Sequence, residues 1–150
     1  MKIAIDTNIL AYAEGVNGES LRQRAVSFIQ RIPNDNVVIP TQVVAELFHL
    51  LVRKGGFARP AAWSLASRWH NSYDSAPTTK ASMAVALDLA LGHELQIFDA
   101  VILAAAAEAQ CSLLLSEDMH DGFTWHGVTV ANPFKPNPHV LLQLLLTSES

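Results

Sequence analysis

Short apolar runs alternate with longer amphipathic segments along most of the chain. Four apolar runs have the length and composition of buried strands, at residues 2–5, 37–39, 113–115 and 128–130. Apolar residues at helical spacing, bounded by capping and turn residues, predict helices at residues 20–32, 41–52, 60–69, 80–91, 99–110 and 139–146. A short helix is also expected after the first strand, through residues 9–12.

This alternation of strands and helices predicts an α/β fold, a three-layer α/β/α sandwich with a mostly parallel central sheet. A length of 150 residues is typical of one domain, so we expect a single domain over residues 1–150 with residues 135–150 as a C-terminal tail or helix. Ligand sites of such folds form at the carboxyl ends of the strands.

Capping residues and irregular stretches complete the local prediction. Thr7 with Asn8 is expected to cap the first helix, Thr41 the helix at 41–52, and Thr79 the helix at 80–91. Residues 71–79 are polar and predicted to be irregular, and Trp125 falls in a stretch typical of a loop.

The composition indicates a globular protein. Half of the residues are hydrophobic and only 16% are charged, which excludes a disordered chain. The formal net charge of −4 leaves no general basic footprint for nucleic acid. A metal site built from carboxylates adds to the formal negative charge, however, and the bound cations offset it. The overall charge therefore does not exclude a nucleic-acid substrate.

Cysteine usage and the lengths of the apolar runs indicate the cellular compartment. Cys111 is the only cysteine, so an intrachain disulfide or a thiolate zinc site is excluded, and we expect it to be buried. Asp6 interrupts the N-terminal apolar run, which argues against a signal peptide. The longest apolar run, residues 100–107, is far shorter than the roughly 20 residues that span a bilayer. We therefore expect a soluble, cytoplasmic protein.

Four acidic residues adjoin apolar segments that are widely separated in sequence. Asp6 ends the first strand, Glu46 lies within an apolar helix, Asp99 opens an alanine-rich helix, and Asp118 follows the strand at 113–115. A carboxylate against a buried segment is costly unless something pairs with it, and basic residues are not adjacent. The pattern suggests that the four acids share a divalent cation.

Oxygen ligands of this kind are preferred by Mg2+ and Mn2+. Carboxylates from separate elements hold one or two such ions and leave positions for water. A site of this type supports hydrolysis of a phosphodiester. Taken singly, each acid also has a structural interpretation as a turn, cap or solvent-facing residue.

The residues that flank the acids indicate a particular protein family more specifically than the acids alone do. The segments Asp6-Thr7-Asn8, Phe98-Asp99-Ala100 and Ser116-Glu117-Asp118, together with Glu46, occur in the order and at the spacing of a known family. In this respect the chain resembles the PIN-domain ribonucleases, and the toxins of VapC-like toxin–antitoxin pairs in particular. The resemblance covers the chain up to about residue 134.

The resemblance implies an endoribonuclease that depends on Mg2+ or Mn2+. In the family, acids at the positions of Asp6, Glu46, Asp99 and Asp118 hold the metal. A hydroxyl group such as that of Thr7 or Ser116 supports these acids, and Asn8 orients Asp6 or a water. Asp121 is an alternative to Asp118 as the fourth acid, whereas Glu117 is expected to face solvent.

The resemblance also implies partners: an RNA substrate, a second copy of the chain in a homodimer, and an inhibitory antitoxin protein. By analogy, the antitoxin groove is expected within residues 18–51, and the apolar stretch at 140–146 is a further candidate for a protein contact. Arg53, Lys54, Arg59 and Arg68 are candidates for contact with RNA phosphates, or else form a solvated helix end. His120 is the one histidine expected near the site.

Two other function classes remain open. A receiver or phosphoryl-transfer domain also places acids at strand ends, but it predicts a further acid next to Asp6 or two residues after it, where this chain has Thr7 and Asn8. A non-catalytic PIN-like module that binds RNA or protein would keep the fold without the chemistry. Metal binding without RNA cleavage would favour that alternative.

Overall fold

The central sheet has the predicted, mostly parallel architecture. The structure, a computed structural model, describes residues 1–147. The strands are β1 (Ile3–Ile5), β2 (Val37–Pro40), β3 (Asp74–Ala76), β4 (Leu113–Leu115), β5 (Thr124–Trp125) and β6 (Val128–Ala131). Their order is β3-β2-β1-β4-β6-β5, and only β5 runs antiparallel to its neighbour.

Helices cover both faces of this sheet. The α-helices in the described part of the chain are α1 (Thr7–Ala13), α2 (Glu19–Gln30), α3 (Thr41–Arg53), α4 (Arg59–Ser72), α5 (Lys80–His93), α6 (Ile97–Glu108) and α7 (Val140–Thr147). Every residue of β1, β2, β4 and β6 is buried, which requires cover on both sides of the sheet and explains why these strands are continuously apolar. The predicted three-layer sandwich is thus confirmed.

Helix boundaries agree with the sequence to within a few residues, but two of the three predicted caps are wrong. The N-cap of α1 is Asp6, whose carboxylate accepts the Thr7 N–H, and not Thr7 or Asn8. Thr41 is the first residue of α3, and its hydroxyl instead accepts the backbone N–H of Thr78. Thr79 caps α5 as predicted, within a reciprocal capping box.

Two short edge strands were missed. β3 lies in the stretch predicted to be irregular, and only the last of its three residues is buried. β5 contains Trp125, which had been placed in a loop, and pairs with β6 across His126 and Gly127, which both have positive φ. Edge strands this short and polar lack the apolar run that identifies a buried strand.

The last three residues of the predicted tail, 148–150, lie outside the described residues. Cys111 is buried as expected, and burial raises the pKa of its thiol to about 11. Within residues 1–147, no helix has the length and apolar composition that a membrane crossing requires.

The topology places two strand ends side by side. β1 and β4 are neighbouring parallel strands in the centre of the sheet, with Ile5 opposite Leu115. The next residue after each strand is polar, Asp6 after β1 and Ser116 after β4. The backbone N–H of Asp6 still donates to the carbonyl of Leu115 at 2.9 Å, so the segments that follow β1 and β4 separate only beyond this point.

Candidate active site

Asp6 is the most firmly held of the four acids. It is only 5% exposed, and its Oδ1 accepts the backbone N–H of Thr7 at 2.7 Å. Its Oδ2 accepts the hydroxyl of Ser116 at 2.8 Å, and the Ser116 oxygen in turn accepts the backbone N–H of Met119 at 3.2 Å. Since a carboxylate oxygen accepts two hydrogen bonds, each oxygen of Asp6 keeps a free lone pair.

The other three acids come from three separate elements. Glu46 is half-buried on α3, and its Oε2 is buried without a hydrogen-bond partner among residues 1–147. Asp99 is half-buried in the first turn of α6. Asp118 follows β4, and its carboxylate accepts the side-chain amide of Asn8. Asn8 therefore orients Asp118, whereas the resemblance implied that it orients Asp6 or a water.

These residues line one cleft of about 480 Å3 at the carboxyl edge of the sheet. Its lining consists of Asp6, Thr7, Asn8, Glu46, His49, Leu50, Arg53, Lys54, Gln96, Asp99 and Asp118. The structure thus brings together all four acids that the sequence singled out, although Asp6 and Asp118 are 112 residues apart in sequence.

Burial and mutual repulsion disfavour the charged forms of these acids. Burial, followed by the charges of Asp6 and Asp99, raises the pKa of Glu46 to about 7. Burial, followed by Asp6 and Asp118, raises the pKa of Asp99 to about 6. The pKa of Asp6 is raised by burial, against the hydrogen bonds from Ser116 and Thr7. The pKa of Asp118 is raised by burial and by Glu117, while Lys54 opposes the shift.

The donors fit a hard divalent cation. All four are carboxylates, and within residues 1–147 none of them has an ion-pair partner within 4.0 Å. The buried, unpartnered Oε2 of Glu46 and hydroxyl of Thr7 are polar atoms that a bound ion and its water would satisfy. No three acidic, histidine or cysteine side chains of residues 1–147 already stand close enough to hold one metal ion, so binding requires side-chain rotation.

Two of the four basic candidates line the cleft. Arg53 and Lys54, at the end of α3, belong to its lining. Arg59 lies over the ring of Phe48 at 5.6 Å. Arg68 lies elsewhere, beside Glu14, whose pKa is raised by burial against the charge of Arg68. The cleft therefore has cations beside its acids on the side of α3.

The two remaining acids of residues 116–122 are used elsewhere. Asp121 accepts the backbone N–H of Asn132 at 2.8 Å and lies 3.4 Å from the ammonium of Lys135. It does not line the cleft, whereas Asp118 does. The prediction that Glu117 faces solvent is wrong, because Glu117 is half-buried and accepts the hydroxyl of Tyr12.

Sequence reasoning missed several lining residues. His49 lines the cleft, while His120, the histidine expected near the site, is exposed and outside the lining. His49 lies three residues after Glu46 on α3, a spacing that puts both on one helix face and so offered a usable signal. Gln96, at the N-cap of α6, had no such signal.

Comparison with known proteins decides the family. The family model of the PIN domain matches residues 3–120, most of the chain. The chain belongs to the PIN-domain family. No curated protein sequence matches this PIN-domain chain.

Solved structures share the fold of this PIN domain at low identity. VapC20 of Mycobacterium tuberculosis, a toxin that cleaves the sarcin–ricin loop, is 19% identical with a TM-score of 0.67, covering 78% of this chain and 90% of its own. A toxin–antitoxin complex from Klebsiella pneumoniae is 18% identical with a TM-score of 0.64, covering 89% and 99%. VapBC2 from Rickettsia felis, bound to a promoter DNA fragment, is 15% identical with a TM-score of 0.63, covering 88% and 98%.

Proposed function

We propose that this PIN-domain protein is an endoribonuclease that uses Mg2+ or Mn2+ to hydrolyse RNA phosphodiester bonds, and that it is the toxin of a toxin–antitoxin pair. The strongest support is the convergence of Asp6, Glu46, Asp99 and Asp118 on one cleft without ion-pair partners among residues 1–147. Four mutually repelling carboxylates are costly to bring together, and a divalent cation removes that cost.

The four acids share one role in this proposal. Asp6, Glu46, Asp99 and Asp118 would hold the cation, which when bound activates water and stabilises charge on the phosphodiester. Hydrogen bonds from the Thr7 N–H and the Ser116 hydroxyl to its two oxygens fix the direction of Asp6 and favour its charged form against the effect of burial.

Charge on one side of the cleft suits an RNA substrate. Arg53 and Lys54 lie at the C-terminal end of α3, one turn beyond the His49 that also lines the cleft. Their cationic groups are placed to bind phosphates next to the one that reacts, and to offset the repulsion between RNA and the acids. His49 has ring nitrogens able to contact a base or a phosphate.

An antitoxin partner is supported by the related structures, three of which are of toxins or toxin–antitoxin complexes, and by an apolar groove. This groove, of about 330 Å3, lies between α3 and α4 and is lined mainly by Val44, Ala45, Phe48, Trp63 and Ala66. Trp63 is 66% exposed, which is costly for so large an apolar side chain. We assign this groove to an apolar segment of the antitoxin. The groove lies on the side of α3 opposite to Glu46 and the cleft.

A homodimer is supported by α5. Apolar side chains recur at i, i+4 and i+8 on its outer face, where Met83 is 38%, Leu87 57% and Leu91 86% exposed. Phe98, which follows the helix, is 51% exposed. An exposed apolar stripe on a helix is normally covered by a partner, and a second copy of α5 has a matching apolar stripe.

Cleavage of a panel of structured RNAs tests the proposed activity. Purified protein is assayed with Mg2+ or Mn2+ and with EDTA, beside the variants Asp6→Asn and Asp99→Asn. Asp88→Asn is the matched control, because Asp88 is an exposed acid on α5 outside the cleft. We expect metal-dependent cleavage by the wild type and by Asp88→Asn, and its loss in both cleft variants.

Two other outcomes would contradict the proposal. Cleavage that persists in both cleft variants would show that these acids are not the catalytic site. If no RNA is cleaved but metal still raises the melting temperature, the chain is a metal-binding module without nuclease activity on the panel.

A further inference from the structure

A second groove lies between α2 and the segment that follows β6. It has a volume of about 550 Å3. Its polar lining comes from Gln23, Arg24 and Ser27 on α2, from Arg31 at the C-cap of that helix, and from Lys135 on the opposite wall. The remainder of the lining is apolar or proline, and no acidic residue of the described chain belongs to it.

The groove is a concentration of positive charge in an acidic protein. The whole chain has ten Lys and Arg residues against fourteen Asp and Glu residues, and three of those cations line this one groove. Arg24 and Arg31 have no carboxylate within ion-pairing distance among residues 1–147, whereas Lys135 lies 3.4 Å from Asp121. Two unpaired guanidinium groups therefore face the groove.

Both arginines are held in place by the groove's other wall. Arg24 donates to the carbonyl of Phe134 at 2.7 Å and lies 5.1 Å from the centre of the Phe134 ring. Arg31 donates to the carbonyl of Leu146 at 3.1 Å. A guanidinium has five N–H donors, so each keeps donors for a ligand. A preorganised, planar arginine suits bidentate recognition of phosphate.

A short chain of contacts joins this groove to the catalytic cleft. The Phe134 ring packs edge-on against Tyr12 at 5.6 Å, and the Tyr12 hydroxyl donates to Glu117. Glu117 directly precedes Asp118, which lines the cleft. The segment after β6 leaves the sheet at its carboxyl edge, the same edge at which the cleft lies.

We propose that the groove between α2 and the Phe134 segment binds the phosphate backbone of the RNA substrate at a distance from the scissile bond. Arg24, Arg31 and Lys135 neutralise phosphates, while Gln23 and Ser27 supply neutral hydrogen bonds of the kind that position a nucleic-acid backbone. The inference rests on the proposed function for the identity of the polyanion. Within that function, it explains how an acidic protein holds a long RNA.

Salt dependence of RNA binding tests this groove. Affinity for a long, fluorescently labelled single-stranded RNA is measured over a range of KCl concentrations in EDTA, so that no metal-dependent cleavage occurs. The double variant Arg24→Gln/Arg31→Gln removes two charges but keeps side-chain N–H donors for the two carbonyls. We expect the slope of log affinity against log salt to fall by about 1.4, since each phosphate contact on single strands contributes about 0.7. At 0.1 M salt the variant should then bind about 25-fold more weakly than wild type. This factor takes the two affinities as equal at 1 M salt and applies the slope difference of 1.4 over the one decade between 1 M and 0.1 M.

Three controls separate charge in the groove from other effects. Arg22→Gln removes a charge from the same helix, but Arg22 is paired with Glu19 at 2.6 Å and does not line the groove, so we expect little change. Arg24→Lys/Arg31→Lys keeps the charges and should keep most of the slope. Metal-dependent cleavage of an oligonucleotide too short to reach the groove should be unchanged in the glutamine variant.

An unchanged slope and affinity in the glutamine variant, with an unchanged melting temperature, would overturn the inference. If RNA binding is unchanged but polyglutamate binds the wild type and not the variant, the groove instead takes an acidic protein segment. If the variant loses RNA binding as expected while the wild type cleaves no RNA with Mg2+ or Mn2+, the groove is supported and the nuclease proposal fails.

Discussion

At the scale of single residues, Ser116 links Asp6, the most buried acid of the cleft, to the fold. It is fully buried, donates to Asp6 and accepts from the backbone of Met119. It thereby joins the residue after β1 to the turn after β4. The hydroxyl is small enough to fit between these segments and has both a donor and an acceptor, which explains why serine suits the position.

Ser116→Ala should destabilise the protein and loosen the site. The substitution leaves a buried N–H at Met119 and a carboxylate oxygen at Asp6 without their partner, which costs about 1–3 kcal/mol. Urea denaturation measures the change in the free energy of unfolding. The control Ser64→Ala, at an exposed position of α4, should stay within about 0.5 kcal/mol of wild type. Equal effects at the two serines would show that the buried hydroxyl has no special role.

Glu46 should make stability depend on pH in the absence of metal. Its folded pKa of about 7 exceeds the ordinary value of 4.5, so the folded protein binds this proton more tightly than the unfolded chain does. The resulting stability is complete below about pH 4.5 and is lost as the pH rises through about 7. Glu46→Gln in EDTA should therefore gain stability relative to wild type as the pH is raised across that window.

Unfolding by urea at several pH values measures this difference. Asp88→Asn, on the exposed face of α5, is the control and should follow the wild-type profile. Parallel profiles for wild type and Glu46→Gln would contradict the prediction.

At the scale of elements, the start of α5 shows what a capping motif can and cannot specify. The Thr79 hydroxyl accepts the backbone N–H of Ser82 at 3.0 Å, the Ser82 hydroxyl accepts the Thr79 N–H at 2.9 Å, and Thr79 also contacts Glu108 on α6. Thr41 has the same side chain at the start of a helix, but it is the first residue of α3 and Pro40 occupies the N-cap position. A threonine before a helix is thus a candidate cap, and the backbone angle of the preceding segment decides its role.

Two adjacent threonines provide a matched test of the α5 cap. Thr79→Val removes the cap at nearly constant volume and should cost about 1 kcal/mol in the free energy of unfolding. Thr78→Val removes a buried hydroxyl that has no partner among the described residues, and should be neutral or stabilising. Thermal or urea denaturation of the two variants gives the comparison. A Thr79→Val variant as stable as Thr78→Val would rule out the cap as a contributor.

At the scale of the whole molecule, the four acids of the cleft oppose folding when they are charged. The pKa of each of its four acids is raised, and burial is the largest cause each time. A ligand that binds only the folded state stabilises it, by about 2.7 kcal/mol at a hundred times its Kd. Mg2+ or Mn2+ should therefore raise the melting temperature of the wild type, and less so for Asp99→Asn.

Differential scanning calorimetry with and without metal measures this shift. The control Asp88→Asn should show the full wild-type shift, because it keeps the cleft intact. A shift that is the same in Asp99→Asn and wild type would place metal binding elsewhere.

The outer face of α5 should determine the oligomeric state. Leu87→Glu places a charge in the centre of the exposed apolar stripe, where a second copy would have to bury it. Light scattering after size exclusion should give the mass of a dimer for wild type and of a monomer for Leu87→Glu. The control Leu144→Glu, at a similarly exposed leucine of α7, should remain dimeric. A monomeric wild type would contradict the proposed homodimer.

The sequence by itself determined the elements that have strong local signals. Continuous apolar runs identified the four central strands, because a strand buried on both faces must be apolar throughout. Helical spacing, capping residues, terminating glycines and alanine content together identified the helices to within a few residues. The same local signals were too weak for β3 and β5, whose short edge positions depend on backbone pairing with a neighbour rather than on side-chain burial.

Only the tertiary structure decided which residues meet. The sequence singled out four acids and left Asp118 and Asp121 as alternatives, and the turn after β4 directs Asp118 to the cleft and Asp121 to Asn132. The strand order that sets β4 beside β1 brings Ser116 to Asp6, and the path of α3 brings His49 into the lining. Such contacts join residues far apart in the chain, and their energies depend on distance in space, which a linear pattern does not contain.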